Sequence, residues 1–234
     1  MLKNTDFYID GKWVPPYERN DFPIINPSNE EAFATISLGS KRDLDDAVIA
    51  AKNAFTNWSV VGHKERLIFI RKLLSIYEDR TQEMAEAISS EMGAPIKLAK
   101  NAQTSAGANH IKAFIKALES FKFEYQLRID TPDEFIIREP IGVCGLITPW
   151  NWPMNQVTLK VIPAVAVGCT VVLKPSEIAP ISSILFAEMM NEAGFPSGVF
   201  NLVNGNGPTV GEAMSSHPEI DMMSFTGSTR AGIA

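Results

Sequence analysis

Val143-Cys144-Gly145-Leu146-Ile147-Thr148-Pro149-Trp150-Asn151-Trp152-Pro153 joins a continuous apolar run to a turn crowded with tryptophan, asparagine and proline. The first five residues read as a strand buried on both faces. The pattern continues regularly on the C-terminal side. Val157 to Val167 is an apolar helix interrupted by Pro163, and Thr170-Val171-Val172-Leu173 is a second strand. Ile181 to Glu192 reads as a helix, with Pro180 near its start and Gly194 past its end. Val199 to Val203 is a third strand, Thr209 to Ser215 a short helix, and Met222 to Phe225 a fourth strand, after which Ser228 opens another helix. Strands alternating with helices at this spacing predict a parallel sheet. Ligands bind such sheets beyond the carboxyl ends of the strands. Thr148 to Pro153, Lys174-Pro175-Ser176-Glu177 and Phe225-Thr226-Gly227-Ser228 all fall at such ends.

Towards the N-terminus the pattern changes. Phe7 to Val14 predicts a hairpin, because Asp10-Gly11 suits a type I′ turn. Pro15, Pro16, Pro23 and Pro27 then imply a loop-rich entry. Ser40 and Asp43 form a capping arrangement ahead of Leu44, Ala47, Val48, Ala51 and Phe55 at helical spacing. Further helices are expected from about Lys64 to Tyr77, from Thr81 to Met92, and from Pro95 to Ser120. Phe123 to Arg138 predicts a second hairpin, with Thr131 to Glu134 as its turn. It is either a plain surface hairpin or an arm for assembly, since a projecting hairpin leaves edges to pair. The chain thus divides into a helical part, 1–121, a hairpin, 122–140, and a Rossmann-like core, 141–234. The expected class is α/β, a Rossmann-like parallel sheet with helices on both faces.

Composition narrows the function classes. The 234 residues carry a net charge of −6, so no basic excess is present to neutralise nucleic-acid phosphates. No apolar run approaches the roughly 20 residues of a membrane span. Met1 to Asp6 offers no apolar segment of a signal peptide. Cys144 and Cys169 sit in apolar runs, which fits buried thiols in a reducing, cytoplasmic compartment. His63, His110 and His217 have no metal-ligand spacing.

The strand-end motifs carry the chemistry, each with a plainer alternative. The first strand lacks the G-x-G-x-x-G grip on a pyrophosphate, and Gly205-Asn206-Gly207 is only a fragment of it. Lys174 and Glu177 can hydrogen-bond ribose hydroxyls, or form an exposed surface pair. An ionised Glu177 would repel a 2′-phosphate, which leans towards NAD over NADP. Gly227-Ser228 at a strand-to-helix turn suits a phosphate or an ordinary N-cap. Asn151 could donate its amide to a developing oxyanion, or serve the turn.

Taken in order and at these spacings, the motifs resemble the aldehyde dehydrogenase superfamily, over essentially the whole chain. The likeness runs from Asp10-Gly11-Lys12-Trp13 and Asn26-Pro27 through Glu91-Met92-Gly93 to the last residue. The resemblance implies that Asn151 is the oxyanion amide. It implies that Ile147, Thr148, Pro149 and Trp150 line a cofactor cleft, and that Lys174, Ser176 and Glu177 hold the adenosine ribose. Gly207 and Gly211 would shape the adenine side. Phe225, Thr226, Gly227 and Ser228 would reach the pyrophosphate of NAD, or of NADP. The hairpin would be the family's oligomerisation arm, in a homodimer or homotetramer.

The implied reaction oxidises an aldehyde to a carboxylic acid through a cysteine thioester. Neither the family's Glu-Leu-Gly-Gly type segment nor its cysteine segment occurs before Ala234. The expectation is therefore an N-terminal fragment without the nucleophile. It would expose apolar surface and tend to self-associate. The alternative is a non-catalytic dinucleotide-binding or interaction module.

Overall fold

The N-terminal part is richer in strands than its prolines suggest. The computed structural model describes residues 2–233. It begins with β1 (Leu2–Asn4), β2 (Phe7–Ile9), β3 (Lys12–Val14), β4 (Asp21–Asn26) and β5 (Glu31–Ser37). Asp10 and Gly11 join β2 to β3 with φ of 51° and 74°, the left-handed pair of a type I′ turn. β4 pairs antiparallel with β5, and β1 adds parallel to it. The loop expected around Pro23 is thus a strand. Pro23 is tolerated because β4 lies at the edge of this small sheet.

Three helices follow: α1 (Lys41–Trp58), α2 (His63–Asp79) and α3 (Thr81–Met92). The Ser40–Asp43 capping box forms. Ser40 Oγ accepts from Asp43 N, and Asp43 Oδ2 accepts from Ser40 N at 2.8 Å. The helix expected to run unbroken from Pro95 divides in three. α4 (Ile96–Leu98) passes through a π-helical turn, Ala99–Thr104, into α5 (Ser105–Ser120).

β6 (Glu124–Arg128) and β7 (Thr131–Ile137) form a separate two-stranded sheet. Its turn is Ile129-Asp130, not Thr131 to Glu134. The register shifts between Gln126 and Arg128. That bulge takes Pro132, which has no N–H to give, out of the ladder.

The remaining elements alternate as expected: β8 (Val143–Ile147), α6 (Pro153–Val167), β9 (Thr170–Lys174), α7 (Ile181–Ala193), β10 (Phe200–Leu202), α8 (Glu212–Ser215), β11 (Met222–Phe225) and α9 (Thr229–Ile233). A second π-helical turn, Gly207–Gly211, leads into α8.

The main sheet has the order β11-β8-β9-β10-β2-β3. The first four strands are parallel. The N-terminal hairpin closes the far edge, β2 running antiparallel to β10. Side chains alternate between two buried layers, as strand geometry demands. Phe7, Ile9, Val143, Val172 and Val203 meet Leu44, Val48 and Ala51 of α1 and Met214 of α8. Cys144, Leu146, Val171, Leu173 and Phe200 face the opposite layer, which includes Val161 of α6 and Phe186 of α7.

Two buried side chains of α1 and α2 bond to the end of α6. α6 ends inside the molecule, where its last carbonyls would be orphaned. Trp58 Nε1 donates to Val165 O at 3.2 Å, and Arg66 Nε donates to Ala166 O at 2.8 Å.

Asp43 is buried and also accepts from Tyr17 N at 3.0 Å. Replacing it with alanine strands two backbone donors at once. Asp43→Ala is expected to cost about 2 kcal/mol or more, measured as the shift in urea unfolding midpoint. A loss no larger than an ordinary surface substitution would refute this account of the helix entry.

Candidate functional site

The strand order itself locates a ligand edge. β8 leads through α6 to β9 on one side, while β11, last in sequence, lies on its other side. The connections therefore diverge between β8 and β11, and the crevice beyond their carboxyl ends is a switch point. Ile147 is level with Lys174 on one neighbour and with Phe225 on the other. Thr148 N donates to Lys174 O at 3.2 Å, and Thr226 N donates to Ile147 O at 3.1 Å. The three strand-end motifs are thereby brought to one edge. Thr148 is buried, Ile147 and Pro149 are half-buried, and Trp150 and Asn151 are exposed in the turn before α6.

Lys174 is buried, and its ammonium is committed to the protein. Nζ donates to Gly205 O at 2.6 Å, to Pro175 O at 3.0 Å and to Glu177 Oε2 at 3.5 Å. Burial holds its pKa below the usual lysine range, and the Glu177 carboxylate opposes that shift. Lys174 thus ties the loop after β10 to the end of β9 and presents Glu177, which stays partly exposed. Ser176 Oγ accepts from Ile178 N at 3.3 Å and shapes the same loop.

Gly211 closes this region from the second π-helical turn. A Cβ there would lie 3.8 Å from Lys174 Cε and 3.9 Å from Ile147 Cδ1. A side chain at this position would grow from contact with Ile147 and Lys174, and the glycine leaves that space open. Gly207, one turn earlier, is exposed and has open space around it. At the other side, the Phe225 ring covers Gly227, whose Cβ would meet it. Ser228 Oγ accepts from Ala231 N at 3.2 Å at the start of α9.

Two contacts near the site were not anticipated from the sequence. Lys160 of α6 reaches across to β11 and donates to Ser224 Oγ at 2.7 Å. Burial lowers its pKa. Gln103, in the first π-helical turn, donates from Nε2 to Asn151 O at 3.4 Å. Lys160 lies nine residues beyond Asn151, on the helix that this turn opens. That sequence position could have flagged it.

Both cysteines are buried free thiols away from this edge. Cys144 lies within β8, and Cys169 precedes β9 at its opposite end. Among the described residues, no group of three or more His, Cys, Asp or Glu is placed to hold a metal ion. Among the described residues, no helix is long and apolar enough to cross a membrane.

A doubly wound α/β protein with a switch-point crevice is the class this architecture defines. Comparison with known proteins makes the family specific. The aldehyde dehydrogenase family model matches residues 13–234, and the chain belongs to that family. It is 49% identical over 233 residues to 3-succinoylsemialdehyde-pyridine dehydrogenase of a Pseudomonas species, covering 99% of this chain and 48% of that protein. An aldehyde dehydrogenase from Bartonella henselae superposes with a TM-score of 0.98 at 57% identity, covering 100% of this chain and 49% of that one. Aldehyde dehydrogenase C of Pseudomonas syringae, crystallised as a mutant with NAD+ and octanal, gives a TM-score of 0.95 at 48% identity. The match covers 98% of this chain and 46% of that one. The chain therefore spans about half the length of the relatives it matches.

Glu91, at the end of α3, supports the site from beneath. Its carboxylate accepts from Ile181 N and Ser182 N, at the start of α7 and just beyond the Lys174–Glu177 loop. Burial pushes its pKa up to about 7, although both backbone bonds favour the anion. Unfolded chains release this proton near pH 4.5, the ordinary glutamate value, while the folded protein keeps it to about pH 7. Between those values the folded state binds more protons, so this group's stabilisation declines as pH rises. The melting temperature of the wild type, relative to Glu91→Gln, is expected to fall between pH 5 and 8. A constant difference would show that Glu91 is ionised throughout.

Proposed function

We propose that this chain is the cofactor-side part of an NAD-dependent aldehyde dehydrogenase, which oxidises an aldehyde to a carboxylic acid through a cysteine thioester. The observation that carries the reading is the register that sets Ile147 level with Lys174 and Phe225 at the switch-point edge, with Gly211 beside Ile147 and Lys174. Its support from outside is the family match and the likeness to a dehydrogenase crystallised with NAD+ and octanal. The nucleophilic cysteine and the general base would come from the rest of the longer polypeptide.

The residues divide the work as follows. Ile147, Thr148, Pro149 and Trp150 line the cleft. Glu177 and Ser176 take the ribose hydroxyls, and Lys174 holds Glu177 in place. Gly207 and Gly211 leave room for the adenine. Phe225, Thr226, Gly227 and Ser228 border the pyrophosphate. When bound, the dinucleotide supplies a hydride acceptor. Asn151, exposed and with its side-chain amide unengaged, donates to the oxygen of the reacting carbonyl. A fixed donor at that position acts where charge develops, and therefore on the barrier.

Assembly belongs to the same reading. The β6–β7 hairpin carries Leu127, Ile129, Phe135 and Ile137 exposed on a sheet of only two strands. Such a ribbon is marginal alone. We assign it to pairing between copies in a dimer or tetramer. Charge and buried thiols support a cytoplasmic setting.

Steady-state oxidation by the full-length protein tests the proposal. NAD is expected to be preferred over NADP, because Glu177 opposes a 2′-phosphate. Asn151→Ala is expected to lower kcat by about 10²- to 10³-fold, with little change in the KM for NAD. Aldehyde-independent NAD binding without turnover would refute the enzymatic reading in favour of a binding module.

A further inference from the structure

The π-helical turn before α5 places one polar side chain where packing alone would not. Gln103 is 2% exposed. Its Nε2 donates to the main-chain oxygen of Asn151, 48 residues away in sequence. Among the described residues, this is the hydrogen bond that reaches Pro149, Trp150 or Asn151. Beyond Thr148 the turn pairs with no strand, and it enters α6 at Trp152, where no side chain caps the helix.

The remaining half of the Gln103 carboxamide is unused. Oε1 is buried and finds no partner. The orientation of the amide follows from its single acceptor, since a reversed group would set oxygen against oxygen. A buried polar atom without a partner destabilises the fold, and an apolar side chain of similar volume would avoid that cost. The donated bond to Asn151 is what the polar head contributes here. The π-helical geometry explains how the residue reaches the turn, because an extra residue in one turn re-aims the side chains that follow. The segment is fixed from both sides. Tyr77 Oη donates to Thr104 O at 3.1 Å, and His110 Nε2 lies 2.8 Å from Asn155 Oδ1 on α6.

We propose that Gln103 is a positioning residue for Asn151: through its bond to the Asn151 carbonyl it fixes the turn, and so the direction in which the Asn151 side-chain amide points. The proposal rests on the oxyanion role given to Asn151 above. Gln103 touches neither substrate nor cofactor in this arrangement and acts only through that turn. A displacement of about 1 Å in such a donor can cost up to roughly 100-fold in rate.

The test is a double-mutant cycle in the full-length protein, with Gln103→Met, Asn151→Ala and the pair. Gln103→Met alone is expected to lower kcat by about 10- to 100-fold, to leave the KM for NAD within about twofold, and not to lower the melting temperature. In the Asn151→Ala background the same change is expected to cost less than about twofold. An equal loss in both backgrounds, or none in either, would overturn the proposal. Hydrogen exchange of residues 148–157 supplies a readout independent of activity. Faster exchange in Gln103→Met supports the anchoring of the turn, and unchanged exchange overturns it. Failure of the wild type to oxidise any aldehyde would count against the proposed function, and the exchange result would still decide whether Gln103 holds the turn.

Discussion

Everything at the candidate site depends on one strand being paired on both sides at once. β8 bonds in parallel to β9 and to β11 along nearly its full length. A parallel strand in this position needs apolar cover above and below. Val143 provides one face, and Cys144 and Leu146 the other. Such a strand cannot slide, since a one-residue slip would exchange its two faces. The register therefore fixes Ile147 beside Lys174 and Phe225. Whatever follows Ile147 must emerge at the edge where both neighbouring strands end.

Around that fixed point, the loops are held by unlike means. Lys174 uses a buried charge to collect two carbonyls and a carboxylate. Its carboxylate partner, Glu177, stays partly exposed at the strand-end edge. Glu91 uses a buried carboxyl group to hold the start of α7. Gln103 uses a neutral amide. Two of the three groups have pKa values displaced by burial. Supporting the loops in this way costs stability that an apolar interior would not.

The C-terminal half was legible because each element there matches its own local pattern. Val171 to Leu173 is an unbroken apolar run ending at Lys174, and Ile181 to Ala193 has a proline before it and a glycine after it. The three motifs could be placed at strand ends for that reason. β4 and β5 were hidden because Pro23 and Pro27 flank or interrupt them, and their pairing with β1 joins distant parts of the chain. Composition misplaces the hairpin turn, because Thr131-Pro132-Asp133-Glu134 has the residues of a turn while the ladder sets them in a bulged strand. Gln103 was invisible for a different reason. In a regular helix it reads as one polar residue among many, and only the π-helical turn carries it to Asn151.

The N-terminal hairpin completes the sheet beside β10, with Asp10 N bonded to Asn201 Oδ1 across 191 residues. Synthesis on a ribosome imposes an order on that contact. At about 5–20 residues per second, roughly 10 to 40 s separate the emergence of its two halves. During that interval Phe7, Tyr8 and Ile9 have no sheet to join, although all three are buried in the finished protein. The hairpin is thus made long before the strand it joins, and in the nascent chain its apolar side chains wait uncovered by that strand.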